Sequence, residues 1–204
     1  MKKIKLLLCL FMLTTLCGCS NSNKNESSKT LNAAMFWIST SLDPTNNYDG
    51  WVLSRIGVGE TLLKLNEKYE VEPYLAKSYE QIDDTTWKLT LKDSITFSNG
   101  KKVTGKNVKS CLERAFEKNT RAIDYFDLNH VEAKGQDIYL YLNKSSGAIL
   151  NNLCEPLFTI YDASQSEEDI ASHPICTGPF VVDDFVSEKT IDTSKNKKYY
   201  DGKA

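Results

Sequence analysis

The chain of 204 residues carries few side chains at spacings suited to covalent chemistry. Hydrolysis needs a nucleophile set against a base, and the sequence contains no Gly-x-Ser-x-Gly turn, no His-Glu-x-x-His pair and no Gly-rich phosphate loop. His130 and His173 stand too far apart for a local metal-ligand pair, and neither has a Cys-x-x-Cys beside it. His173, directly before Pro174, reads as a loop residue. Adjacent acids have structural readings: Asp83 with Asp84 as a turn, Glu167 with Glu168 as a helix start, and Asp183 with Asp184 as the solvated outer part of a hairpin. No set of residues is arranged for bond breaking, so the expectation is a chain without enzymatic activity or a resident cofactor.

One residue is placed for modification. Lys2, Lys3 and Lys5 precede an unbroken apolar run from Leu6 to Leu13, which closes on Leu16-Cys17-Gly18-Cys19. Such a run is far shorter than the roughly 20 residues a helix needs to cross a bilayer, and its basic lead-in and small-residue exit are those of a cleaved signal. The last four residues resemble the bacterial lipobox, which implies that residues 1–18 are a signal peptide. It also implies that Cys19 becomes a diacylglyceryl-bearing N-terminus on the outer face of the cell membrane. Two acyl chains hold a protein stably where one does so only marginally. Residues 20–30 carry no apolar side chain and read as a solvated tether.

Removal of the leader leaves 22 basic against 27 acidic residues, a net charge of -5. Without a basic stripe interleaved with aromatics, nucleic acid is excluded as a partner. Of six cysteines, Cys9 and Cys17 leave with the leader and Cys19 is acylated. Cys111, Cys154 and Cys176 remain, an odd set that argues against a disulfide framework and for structural roles.

The elements that must position any site begin near Leu31 and alternate between the two regular periods, giving a mixed α/β body. Trp87 to Lys92 alternates as a half-buried strand, followed by turn chemistry at Ser98-Asn99-Gly100. Thr104 caps a helix with Val108, Cys111, Leu112, Ala115 and Phe116 on one face. Val131–Lys134 and Asp137–Leu142 form a hairpin about Gly135 and Gln136. A short helix is expected over Gly147–Leu153, a second hairpin over Phe180–Phe185 and Lys189–Thr193, and a capping box from Ser164 to Glu167.

Several strings, in order, carry a resemblance: Ser41-Leu42-Asp43-Pro44, Gly59-Glu60-Thr61-Leu62, Pro73-Tyr74-Leu75-Ala76-Lys77-Ser78-Tyr79, Trp87 to Asp93 with Phe97-Ser98-Asn99-Gly100, and Thr177-Gly178-Pro179-Phe180. Together behind a lipobox they resemble the extracytoplasmic solute-binding proteins of the peptide and nickel class, family 5, which feed ABC importers. The resemblance implies a mixed-sheet lobe of a two-lobed periplasmic-binding-protein clamp of type II. Residues 31–204 would be the N-terminal part, with the second lobe absent. It also implies binding of an oligopeptide or a nickel chelate, with the ABC permease and ATPase as partners and the membrane reached through the lipid. A lobe alone could otherwise serve as a surface interaction module or be a non-functional fragment.

An anion in a partly dry cleft needs a fixed cation, which arginine supplies through its planar fork. The resemblance points to Arg121, where nickel-type members carry an arginine facing the chelator, and to Tyr48 and Trp51, where members present aromatics to the cleft. A second arginine of the nickel branch would follow a proline, but Pro156 is followed by Leu157.

Overall fold

The computed structural model describes residues 31–35 and 39–202; the leader, Cys19 and the tether fall outside the described residues. Residues 31–35 are irregular and belong to an N-terminal unit, Met1–Phe36, while among the described residues the regular elements fall in a second unit, Trp37–Ala204. Among the described residues no helix is long and apolar enough to cross a membrane.

Four antiparallel strands form the central sheet: β3 (Ala76–Gln81), β4 (Thr86–Leu91), β5 (Leu128–Lys134) and β6 (Asp137–Leu142), in the order β3-β4-β6-β5. Leu89 faces Ile138, and Val131 faces Leu140, so one face of the sheet is a continuous apolar surface. The opposite face is polar. Thr90 Oγ1 donates to Asp137 Oδ1 at 2.7 Å, and Lys88 Nζ lies 3.3 Å from Asp137 Oδ2.

The long helix α2 (Gly105–Lys118) covers the apolar face with Val108, Cys111, Leu112 and Ala115, all buried. The sequence expected this helix and its face, and the start is as expected. Thr104 N–H donates to Asn107 Oδ1 at 2.9 Å and Thr104 Oγ1 donates to the same atom at 2.7 Å. Both predicted hairpins are present, the second as β7 (Phe180–Val186) with β8 (Thr190–Lys195). The expected short helix is the turn α4 (Ile149–Asn152).

The cap falls two residues later than expected and is a serine N-cap in place of the expected capping box. Ser166, not Ser164, caps α5 (Glu167–Ser172), accepting from Asp169 N–H at 3.1 Å and donating to Asp169 Oδ2 at 2.7 Å. Ser164 is drawn instead to Asp162, whose Oδ1 accepts from its backbone N–H at 3.2 Å and its hydroxyl at 2.5 Å. Both serines precede an acid by three, and the local Asx turn decides between them.

Elements the sequence did not resolve include α1 (Asp49–Arg55), the hairpin β1 (Leu63–Leu65) with β2 (Val71–Pro73), strand β3, the turn α3 (Ala122–Tyr125), and a 3-10 turn over Pro156–Phe158. Two close approaches join them. A Cβ on Gly50 would stand 2.3 Å from the Pro156 carbonyl oxygen, so only glycine lets α1 lie on the 3-10 turn. A Cβ on Gly178 would meet the Gly57 and Val58 carbonyl oxygens at 2.4 and 2.5 Å, where the Thr177-Gly178-Pro179-Phe180 string crosses the end of α1.

A candidate ligand cleft

Helix α2 fixes the loop that follows Pro44. Arg114 Nη1 donates to Asp43 Oδ1 at 2.8 Å and Nη2 to Asp43 Oδ2 at 2.6 Å, a bidentate fork with side chains only 10% and 11% exposed. Burial alone would raise the Asp43 pKa, but the Arg114 fork and two hydrogen bonds from Thr45 outweigh it and hold the carboxyl below its usual range. One turn further along, Asn119 Nδ2 donates to the Thr45 carbonyl at 3.0 Å and the Asn47 carbonyl at 3.3 Å. The loop is thereby held against the end of α2, where the chain turns through Arg121 into α3.

That arrangement brings together the three residues expected at a ligand site. The Arg121 guanidinium lies 3.8 Å above the centre of the Tyr48 ring, which is 59% exposed. Arg121 Nη1 donates to the Asn47 carbonyl at 2.7 Å and Nη2 to the Tyr125 hydroxyl at 2.9 Å. Trp51, on α1, donates from Nε1 to Glu155 Oε1 at 2.6 Å, and Arg55 sits 5.0 Å over the Trp51 ring. Glu155 Oε1 is 3.9 Å from Arg121 Nη2. Beside these groups opens a cleft of about 550 Å³, within the range of small-ligand sites, whose walls include Tyr48, Asp49, Trp51, Arg55, Tyr125 and Glu155; Arg121 touches Tyr48 and Tyr125 of that wall without lining the cleft itself.

An aromatic cluster stiffens the walls. Phe158 packs edge-on to Tyr125 with centroids 5.7 Å apart, and against Phe126 at 5.1 Å, while Phe116 of α2 meets Phe126 at 5.1 Å. Such pairs contribute about 0.5–1.5 kcal/mol each beyond area burial. Burial, with the neighbouring Glu155 carboxylate, raises the Tyr125 pKa, so its hydroxyl stays a neutral donor.

Glu155 and Tyr125 were not anticipated from the sequence. The available signal was a lone acid before Pro156 in an otherwise apolar stretch, Leu153 to Ile160. Leu157, in the place where a second arginine was sought, is a buried residue of the 3-10 turn. His130 stacks on Tyr141 at 4.2 Å and His173 is exposed at the C-cap of α5. Among the described residues no three of His, Cys, Asp and Glu converge to hold a metal ion. Cys111, Cys154 and Cys176 are unpaired thiols; burial pushes Cys111 up to about 12 and Cys154 up to about 11, so neither is reactive.

The family model for bacterial extracellular solute-binding proteins, family 5, middle part, matches residues 70–204. A curated relative, the nickel-binding protein NikA of Staphylococcus aureus, is 34% identical over 188 residues, covering 92% of this chain and 37% of its own length. The crystal structure of NikA from Staphylococcus aureus in complex with Ni(L-His)2 superposes with a TM-score of 0.76 at 33% identity, over 81% of this chain and 35% of that one. A nickel ABC transporter structure from Bacillus halodurans gives 0.77 at 28% identity, over 81% and 34%. The substrate-binding domain of an oligopeptide ABC transporter from Bacillus anthracis, at 19% identity and a TM-score of 0.72 over 84% of this chain and 38% of that one, shares the fold. The chain thus spans little more than a third of the length of these relatives.

Proposed function

The chain belongs to the bacterial extracellular solute-binding proteins of family 5, and on that premise we propose that it captures a small nickel chelate as the lipid-anchored binding component of an ABC importer. The family binds solutes and does not convert them. Its members work with ABC permease and ATPase subunits, and the same partners are proposed here. The observation that carries the reading is the cleft walled by Tyr48 and Trp51, with Arg121 stacked on Tyr48 and bonded to Tyr125 of the same wall. A fixed guanidinium grips a chelator's carboxylate, and aromatic rings cover its apolar parts. Nickel is preferred over oligopeptide as cargo because the relatives named for nickel are the ones at 28–34% identity.

The test is the thermal stability and calorimetric titration of this chain with nickel plus L-histidine, nickel alone, and a tripeptide. A ligand that binds only the folded state at 100 times its Kd adds about 2.7 kcal/mol of stability. Nickel with histidine should raise Tm, and Arg121→Ala should lower the affinity at least tenfold. A tripeptide that stabilises the chain when nickel does not would overturn the cargo; no response to any probe would favour an interaction module.

A further inference from the structure

We infer that Glu60 is a proton-operated latch: while its carboxyl is neutral it ties the segment carrying Tyr199 and Tyr200 to the body of the fold, and loss of the proton frees that segment. The residue is 2% exposed and stands where three stretches of chain meet. Tyr74, between β2 and β3, donates its phenol to Glu60 Oε1 at 2.7 Å. Tyr199 donates to the same atom at 2.7 Å, and the Tyr200 hydroxyl approaches it at 3.5 Å. The third stretch brings Thr177, fully buried, from the string that crosses the end of α1.

The two oxygens of this carboxyl are served unequally. Oε1 collects the phenols, whereas Oε2 is buried with no hydrogen-bond partner, and so is the Thr177 hydroxyl. Orphaned buried polar atoms are costly, and a bare oxygen on an ion most of all. A carboxylic acid resolves the imbalance: Oε1 goes on accepting from Tyr74 and Tyr199, and a proton on Oε2 supplies a donor in the neighbourhood of Thr177. Every group bonded to the carboxyl is a hydroxyl, so none of its partners brings a positive charge. Lys64 of β1 lies 4.8 Å from the centre of the Tyr74 ring but is paired with Glu72 at 3.0 Å. Cys176, a further titratable neighbour, is a buried thiol.

Burial raises the Glu60 pKa against these hydrogen bonds. The phenols do not titrate first: burial, with Glu60 beside them, pushes Tyr199 up to about 12 and Tyr74 and Tyr200 well above the phenol range. Asn196 anchors the start of the segment, donating from its backbone N–H to the Pro179 carbonyl and from Nδ2 to the Gly178 carbonyl, both at 2.8 Å. The part that opens therefore follows this anchor. In the open form Glu60 meets water and titrates as an ordinary carboxyl, so the closed form binds the proton more tightly. Closure is favoured in full below the ordinary value and weakens as pH rises through the raised one. Such an opening is local and leaves the sheet and α2 in place.

The experiment follows one carboxyl and one segment of the same chain. Carboxyl-carbon NMR of glutamate-labelled protein, assigned through bond connectivity, titrates Glu60 directly. Hydrogen exchange, corrected for its intrinsic pH dependence, reads the amides of Tyr199 and Gly202, which donate to the Asn196 and Tyr199 carbonyls at 3.1 Å each. Glu60 should titrate above the exposed glutamates, and both amides should lose at least tenfold of their protection in wild type as pH passes that midpoint. Glu60→Gln keeps an acceptor for the phenols and cannot ionise, so E60Q should hold its protection across the same range, while the amides of α2 stay protected in both proteins. A Glu60 midpoint in the ordinary carboxylate range, wild-type protection that does not fall across that midpoint, or an equal loss in both proteins overturns the latch. Where E60Q does not fold, the two wild-type midpoints decide: coincidence supports the latch, and disagreement overturns it.

Discussion

Two buried acids respond to pH in opposite directions, for reasons visible in their neighbours. Asp43 is held below its usual range by the Arg114 fork. Its contribution is present above the ordinary carboxylate pKa and is lost as pH falls through the depressed native value. Arg114→Met should destabilise the chain by about 3 kcal/mol, because it strands a buried carboxylate. It should also flatten the acid limb of a pH series of urea midpoints. Glu60 behaves in the reverse sense: burial pushes its carboxyl up, against hydrogen bonds from Tyr199 and Tyr74 at 2.7 Å each. Its contribution is fullest below the ordinary carboxylate value and declines as pH rises through the raised native one. Glu60→Gln keeps an acceptor for the two phenols, so the variant should lose that decline, and a profile unchanged from wild type would contradict the assignment. Arg114 shows what sequence reading misses at this scale. Resemblance pointed to Arg121 beside the helix end, but no local pattern announces that Arg114 grips an acid 71 residues away.

Elements with strong periodicity were legible, and elements defined by their neighbours were not. Strand β4, helix α2 and the first hairpin follow from apolar spacing and turn residues, because each buries one face against the sheet or helix beside it, while the second hairpin follows from its alternation and turn residues with its strands only partly covered. The short helix α1 has no such signature. Its place depends on Gly50, which lets it settle on the Pro156 carbonyl and so brings Trp51 to Glu155, 104 residues along the chain. Gly50→Ala is therefore expected to cost about 1–3 kcal/mol by overpacking, and to weaken nickel–histidine binding by parting Trp51 from Glu155. Loss of stability with unchanged affinity would mean that the cleft does not depend on this contact. The same distance explains why Glu155 was not foreseen: only the packed pair of α1 and the 3-10 turn makes it part of the cleft.

For the molecule as a whole, the proposed attachment to the membrane rests on residues 1–30, which lie outside the described residues. Cys19→Ser should leave the protein unlipidated and release it from the membrane fraction, with mass spectrometry of the membrane-extracted wild type showing the added acyl mass. The described unit is stitched from its two ends. Glu188 N–H donates to the Ser39 carbonyl at 3.0 Å, Leu42 N–H to the Ala171 carbonyl at 2.7 Å, and Tyr199 closes on Glu60 across 139 residues. At a synthesis rate of about 5–20 residues per second, the Glu60 carboxylate is made roughly 7–28 s before its last phenol partners exist. Glu60 thus leaves the ribosome early and stays without these partners for much of translation, and the sealing of this buried carboxylate is timed by the arrival of Tyr199 and Tyr200.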